Sequence, residues 1–185
     1  NWFVELKLLN PLVRFPGKYV ILFDADLLFL RRPTAVLEAL ASNPKPTFYC
    51  PGVNVLAEPF RRMGIETSRI DLRSFNSGFV GFHNSIEPRM LEPIADTIRQ
   101  HDPSLFNIWD MEQALFGALL WRTESPFNLK SIDEEYVGSG WSNYETLLNR
   151  ATMCHFVGAT RFRNLMYLRL ARQVTRQLKE QRGRE

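Results

Sequence analysis

Five consecutive apolar residues, Tyr19-Val20-Ile21-Leu22-Phe23, constrain the fold more than any other feature of the chain. The turn-forming pair Pro16-Gly17 precedes this run, and Asp24-Ala25-Asp26 follows it directly. The run lacks the alternation of a half-exposed strand, so it predicts a strand buried on both faces, as in parallel sheets. A sheet of that kind needs helices to cover it, and we therefore expect an α/β fold.

The remaining pattern alternates between strands and helices. Further strands are predicted at 47–50, 79–82 and 152–156, and helices at 2–9, 33–42, 87–100, 110–120 and 163–181. Asn10-Pro11 is expected to end the first helix, while 51–74 and 133–144 read as irregular segments. In the last helix, Leu165, Leu168, Val174 and Leu178 are the predicted apolar positions. This alternation supports the α/β assignment.

Length and composition indicate one packed domain with a distinct tail. The chain has 185 residues, of which 45% are hydrophobic, and it includes 14 Phe and 4 Trp, too much aromatic content for a disordered chain. We predict a catalytic domain over 1–160 and a basic amphipathic helix over 161–185. That tail carries eight Lys or Arg residues against two acids. It predicts contact with a membrane surface or an anionic ligand, the alternative being a solvated helix face.

Cysteine content and hydropathy bear on the compartment. Cys50 and Cys154 are too few for a disulfide scaffold and lie far apart in sequence, which favours a reducing compartment. No run approaches the ~18–20 apolar residues of a membrane-spanning helix, and no signal peptide is recognisable. We therefore expect a cytoplasmic protein, in contact with membranes only at their periphery.

The Asp24-Ala25-Asp26 motif is the first candidate for chemistry. Two carboxylates at the carboxyl end of a buried strand lie where open α/β sheets bind their ligands. Hard oxygen ligands suit Mg²⁺ or Mn²⁺, and either cation can bridge phosphate oxygens. The alternative is a turn in which the aspartate side chains cap the backbone. The apolar run before the motif favours the metal site.

Three downstream segments carry further candidates. Asn76-Ser77-Gly78 reads as a turn before a strand, where Asn76 can bind sugar hydroxyls, although a purely structural turn is an equal alternative. Glu112-Gln113 opens a helix that Asp110 can cap, and could orient an acceptor hydroxyl. His155 would add an imidazole ligand that favours Mn²⁺, although a lone histidine is more often structural. Arg161 could supply positive charge to a diphosphate.

Taken in order, these segments resemble the nucleotide-sugar glycosyltransferases of the GT-A fold. The resemblance is to the glycogenin-like and bacterial lipopolysaccharide galactosyltransferase group (glycosyltransferase family 8-like). Phe23-Asp24-Ala25-Asp26 is similar to its metal-binding Asp-x-Asp strand, and Phe75-Asn76-Ser77-Gly78 to its Asn-Ser/Ala-Gly strand. Glu112-Gln113 resembles its Asp-Gln pair, and His155-Phe156-Val157-Gly158 its His-aromatic-x-Gly motif. The four motifs extend over about 135 residues.

The resemblance implies transfer of a hexose from a nucleotide diphosphate sugar to a hydroxyl acceptor. It assigns Asp24, Asp26 and His155 to a Mn²⁺ or Mg²⁺ ion, and the nucleotide-sugar side of the site to Ala25, Gly158 and Arg161. It gives Asn76, Glu112 and Gln113 the role of positioning the sugar and the acceptor, without nucleic acid as a partner.

The chain departs from the family's pattern in two places. Its fourth motif runs on to Ala159-Thr160-Arg161-Phe162, where the family has Lys-Pro-Trp. The βαβ units that bind the nucleobase in the family normally precede the Asp-x-Asp strand, and we expect this chain to lack them.

Two other functions are compatible with the motif. In a haloacid-dehalogenase-type phosphatase, Asp24 would be the nucleophile and Asp26 the general acid/base. Leu27-Leu28 follows the motif here, and the acidic motif those enzymes carry downstream is not found. The other alternative is a catalytically inactive sugar-binding domain.

Overall fold

The computed structural model describes residues 10–52, 54–65, 75–108, 110–122, 130–131, 137–139, 143–156 and 165–183. In chain order the elements are α1 (Asn10–Arg14), β1 (Tyr19–Phe23), β2 (Leu27–Phe29), α2 (Thr34–Ala41), β3 (Phe48–Pro51), α3 (Ala57–Arg62), β4 (Phe75–His83), α4 (Glu92–His101), α5 (Met111–Arg122), β5 (Lys130–Ser131), β6 (Val137–Ser139), α6 (Tyr144–Arg150), β7 (Met153–His155) and α7 (Met166–Arg182). Short 3₁₀ helices lie at Pro88–Leu91 and Pro103–Asn107.

These elements form two compact units. Unit 1 contains Ser42–Ser131 together with the described residues up to Leu22, and unit 2 contains Phe23–Ala41 and Ile132–Glu185. Each unit combines helices with a small sheet, which confirms a mixed α/β class. None of the described helices is both long enough and apolar enough to cross a membrane.

The first sheet has the strand order β1-β4-β3-β5. β3 is antiparallel to β4 and parallel to β5, so the sheet is mixed. Phenylalanine side chains dominate the core of unit 1. The Phe116 ring on α5 meets the rings of Phe75 and Phe82 on β4 in edge-to-face contacts, at centroid distances of 6.2 and 5.2 Å. All three side chains are fully buried, and each such burial contributes about 1.5–3 kcal/mol.

The prediction that β1 is buried on both faces is wrong. Val20 is buried, but Ile21 is 37% exposed and Phe23 is 64% exposed. Among the described strands, β1 lies at the end of the strand order and pairs with β4 alone, and an apolar run on such a strand need not be covered on both faces. The run of five apolar residues located the strand correctly and misjudged its burial.

The predicted turn at Asn76-Ser77-Gly78 lies inside a strand. β4 begins at Phe75, four residues earlier than predicted, and pairs Cys50 with Asn76 but Tyr49 with Val80. The residues between Asn76 and Val80 therefore form a bulge in the ladder, which re-aims the side chains around it. A polar, glycine-containing segment looks like a turn in sequence because bulges and turns favour the same residue types.

Unit 2 is built on the strand order β2-β7-β6. β2 is antiparallel to β7, and β6 is parallel to β7. Helices α6 and α7 contribute Leu147, Met166 and Leu170 to a core that also contains Cys154 and Phe156.

Several element boundaries differ from those expected. Asn10-Pro11 begins helix α1 instead of ending a helix, because proline is tolerated in a first turn; the predicted helix at 2–9 lies outside the described residues. The irregular segment 51–74 contains the short helix α3, and 133–144 contains strand β6. In α7 the buried apolar residues are Met166 and Leu170, whereas Leu165, Leu168 and Leu178 are exposed.

Candidate metal centre

The Asp24-Ala25-Asp26 motif forms the turn between β1 and β2. The backbone N–H of Leu27 donates to the Asp24 carbonyl at 3.1 Å, which closes the turn. The turn places both aspartate side chains next to the first residue of β2. Asp24 is 30% exposed and Asp26 is 14% exposed, so both carboxylates are partly withdrawn from water.

Strand β7 brings His155 to this turn. His155 lies opposite Leu27 in the antiparallel ladder, and the N–H of Phe156 donates to the Asp26 carbonyl at 3.0 Å. The ladder therefore fixes the backbone of the histidine against the backbone of the turn. A residue almost 130 positions away in sequence becomes the neighbour of the two aspartates.

The three side chains converge on one point. Nε2 of His155 lies 3.4 Å from Oδ2 of Asp24 and 3.3 Å from Oδ1 of Asp26. One ligand atom from each residue lies within 4.8 Å of the others. The His155 side chain is only 11% exposed, so its orientation is constrained by packing as well as by the ladder.

These distances are compatible with a shared cation. Adjacent ligands of an octahedral cation at about 2.1 Å lie about 3.0 Å apart, close to both separations. Two carboxylate oxygens and one imidazole nitrogen can bind a divalent cation and do not select one metal. The residues present therefore fit a divalent metal site.

A second polar cluster lies in unit 1, around the bulge of β4. Ser77 Oγ donates to Oε2 of Glu112 at 3.0 Å, which joins the Asn-Ser-Gly segment to the first turn of α5. Oδ1 of Asn76 accepts from the N–H of Gly78 at 2.7 Å. Gly52 packs against Asn76 so closely that a Cβ there would lie 2.5 Å from the asparagine Cβ. The close approach of the Asn76 side chain thus requires a glycine at position 52.

Gln113 is held by a buried carboxylate in the same cluster. Its Nε2 donates to Oδ1 of Asp110 at 2.6 Å, and Oδ2 of Asp110 accepts from the N–H of Val55 at 2.8 Å. Burial raises the pKa of Asp110, and the two hydrogen bonds oppose that rise only in part. Among the described residues, Nδ2 of the neighbouring buried Asn54 has no hydrogen-bond partner.

The structure brings three of the predicted site residues together, Asp24, Asp26 and His155 in unit 2. In unit 1, Asn76 lies at the bulge and Glu112 contacts Ser77 in it, while Gln113, the next residue on α5, contacts Asp110. The exposed Ala25 lies in the turn between the aspartates. The predicted donor-site residues Gly158 and Arg161 lie outside the described residues.

Two residues of the second cluster were not predicted in their observed roles. Asp110 was expected only as a helix cap, yet its carboxylate links α5 to the N–H of Val55. Ser77 was read as part of a turn, and instead it contacts Glu112. No local pattern indicates either contact, because each joins segments at least 35 residues apart.

Comparisons with models of known protein families, with curated proteins and with solved structures found no match to this chain.

Proposed function

We propose that the protein is a metal-dependent glycosyltransferase of GT-A type that transfers a hexose from a nucleotide diphosphate sugar to a hydroxyl acceptor. The observation that carries the proposal is the convergence of Asp24, Asp26 and His155 on one point. The same three residues are the ligand set implied by the resemblance to glycosyltransferases. The bulge cluster supports the proposal, since it offers amide, hydroxyl and carboxylate groups able to bind sugar hydroxyls.

Asp24, Asp26 and His155 would hold Mn²⁺, or Mg²⁺ in its place. A cation bound there would supply positive charge to the oxygens of a diphosphate leaving group. Arg161 provides a second positive charge for the same group in this proposal. The nucleotide-sugar side of the site also includes Ala25 and Gly158.

The resemblance to glycosyltransferases gives Asn76, Glu112 and Gln113, all in unit 1, the role of positioning the sugar and the acceptor. Asn76 can donate and accept hydrogen bonds with sugar hydroxyls, and Ser77 holds the Glu112 carboxylate in one orientation. Gln113 is oriented through Asp110. Orientation of this kind lowers the barrier because the reacting hydroxyl is already positioned before the bond forms.

The compartment proposed for the protein is the cytoplasm. Cys50 and Cys154 are both free thiols and both buried, which suits a reducing environment.

Release of nucleoside diphosphate from a panel of nucleotide sugars, with and without Mn²⁺, tests the proposal. Asp26→Asn removes one charged ligand while preserving shape, and we expect the Mn²⁺-dependent rate to fall about 100-fold or more, since even outer-shell changes cost 10–100-fold. Asp96→Asn is the matched control: the exposed Asp96 pairs with Arg99 on α4, and its loss should leave the rate unchanged.

Other outcomes assign the site differently. Hydrolysis of a simple aryl phosphate, lost in the Asp26→Asn variant, would indicate the phosphatase. Mn²⁺ binding without turnover of either substrate class would indicate an inactive sugar-binding domain. Equal rates for the Asp26→Asn variant and the unchanged protein would contradict the proposal.

A further inference from the structure

Helix α7 uses only part of its surface to pack. Met166 and Leu170 are buried in the core of unit 2, and Gln173 accepts a hydrogen bond from the Tyr144 hydroxyl on α6 at 2.6 Å. Beyond this contact the helix continues for two more turns, in which every residue from 175 to 183 is exposed. Its outward face is therefore available for a partner.

Two leucines lie on the outward face. Leu168 is 47% exposed and Leu178 is 54% exposed, with Ala171 and Thr175 between them. The spacing 168, 171, 175, 178 follows the i, i+3, i+7 rule, so these residues form one stripe along the helix. Exposed leucines occur singly on many protein surfaces, so these two identify a binding face only together with the charges beside them.

Cations flank the leucines on the same side. Arg172 and Lys179 are exposed and lie next to the stripe, one helical turn from Leu168 and beside Leu178 respectively. The whole helix carries five basic residues and a single acid, Glu180. That acid pairs with Arg176 at 2.8 Å, in a contact exposed enough to contribute little to stability.

We propose that this outward face of α7 binds an anionic membrane surface, with Leu168 and Leu178 at the boundary of the acyl chains and the cations among the headgroup phosphates. Helices that lie in the membrane interface combine these two features: apolar side chains enter the boundary, and Lys or Arg side chains attract acidic lipids. The proposal does not depend on the glycosyltransferase assignment.

The charges and the leucines together identify the occupant. A nucleic acid would neutralise the cations through its phosphates but would leave both leucines in water. A second copy paired through the same face would cover the leucines but would place two sets of like charges against each other. An acidic bilayer satisfies both features of this face.

Co-sedimentation of the full chain with vesicles tests the proposal, using phosphatidylcholine alone and phosphatidylcholine mixed with phosphatidylserine. We expect binding only to the mixed vesicles, weakening as salt rises. Each basic residue near an acidic bilayer contributes about fivefold in affinity, so the double variant Arg172→Glu/Lys179→Glu should lose at least about 25-fold. Leu168→Ser/Leu178→Ser should lose about tenfold, because it removes the inserted apolar groups.

The matched control makes the same change in net charge elsewhere. Arg89→Glu/Arg99→Glu alters two exposed arginines outside α7 and should bind the mixed vesicles almost as tightly as the unchanged protein. Circular dichroism of each variant checks that it remains folded.

Three results would overturn the proposal. The first is equal binding to neutral and acidic vesicles, or equal losses in the control. The second is binding to the mixed vesicles that depends on the cations but is unchanged in the leucine variant, which would mean electrostatic attraction without insertion of the leucines. The third is a dimer that the leucine variant dissociates while no vesicle binding is seen.

Discussion

Asp110 provides a sharp test of how the bulge cluster is stabilised. Its side chain is fully buried, and its two oxygens accept hydrogen bonds from Val55 and from the side chain of Gln113. Asp110→Ala removes the acceptor of the Val55 N–H and the acceptor of the Gln113 side-chain amide. A buried donor left without an acceptor costs about 1–3 kcal/mol, and loss of the second hydrogen bond adds about 1 kcal/mol. We expect unfolding free energy to fall by about 2–4 kcal/mol.

The asparagine variant separates hydrogen bonding from charge. In Asp110→Asn the remaining oxygen can accept from Val55, and the new amide can donate to Gln113 once the Gln113 amide turns over. Both contacts survive, so the loss should stay below about 1 kcal/mol. Urea denaturation of both variants, analysed with a common m-value, gives the comparison. Equal losses in the alanine and asparagine variants would refute the assignment of these hydrogen bonds as the source of stability.

The difference in unfolding free energy between the Asp110→Asn variant and the unchanged protein should depend on pH. Because burial raises the pKa of Asp110, the folded protein favours the protonated carboxyl more than the unfolded chain does. Stability from this group is complete below the unfolded-state pKa and is lost as the pH rises through the folded-state pKa. The asparagine variant does not titrate at this position. Its unfolding free energy, relative to the unchanged protein, should therefore increase as the pH rises across that interval, and a flat difference would contradict the raised pKa.

Three further changes test other parts of the fold. Arg31 donates to two carbonyls at the end of α6, so Arg31→Ala should lower the melting temperature and cost about 1–2 kcal/mol, with Arg31→Lys intermediate. Gly81→Ala would place a Cβ 2.4 Å from the Phe48 ring and should cost about 1–3 kcal/mol by chemical denaturation, partly relieved by Phe48→Leu. Burial raises the pKa of Cys154 to about 12, so neither it nor the buried Cys50 should react with a thiol reagent until denaturant is added; rapid native labelling would contradict this.

Local patterns predicted the elements well where apolar residues are periodic. The helices near 33–42 and 110–120 were found at α2 and α5, because their spacing already reflects the face that packs. The start of β4 was predicted wrongly because it depends on a contact between residues far apart in sequence. Its bulge is stabilised by Ser77 and Glu112, a contact over 35 residues that leaves no local signal.

Burial was harder to predict than secondary structure. The apolar character of Ile21 and Phe23 suggested a covered strand, yet burial depends on which elements lie beside the strand in the sheet. On α7, Leu178 was a predicted apolar position and is exposed, whereas Met166 was not predicted and is buried. Both side chains are apolar, so sequence does not show that the packed part of the helix ends before Leu178. For the candidate metal centre, the sequence identified Asp24, Asp26 and His155. The pairing of β2 with β7, which brings these residues together, could be seen only in the structure.

The discontinuity of unit 2 has a consequence for how the chain folds. Its two segments are separated by the whole of Ser42–Ser131, which belongs to unit 1. During synthesis Asp24 and Asp26 emerge long before His155, so the three-residue centre cannot exist until the last part of the chain returns to the first. Closing so long a loop slows folding, although each doubling of its length costs only ~0.6 kcal/mol. If the proposed metal site binds Mn²⁺, acquisition of Mn²⁺ during refolding would report this long-range step rather than the collapse of unit 1.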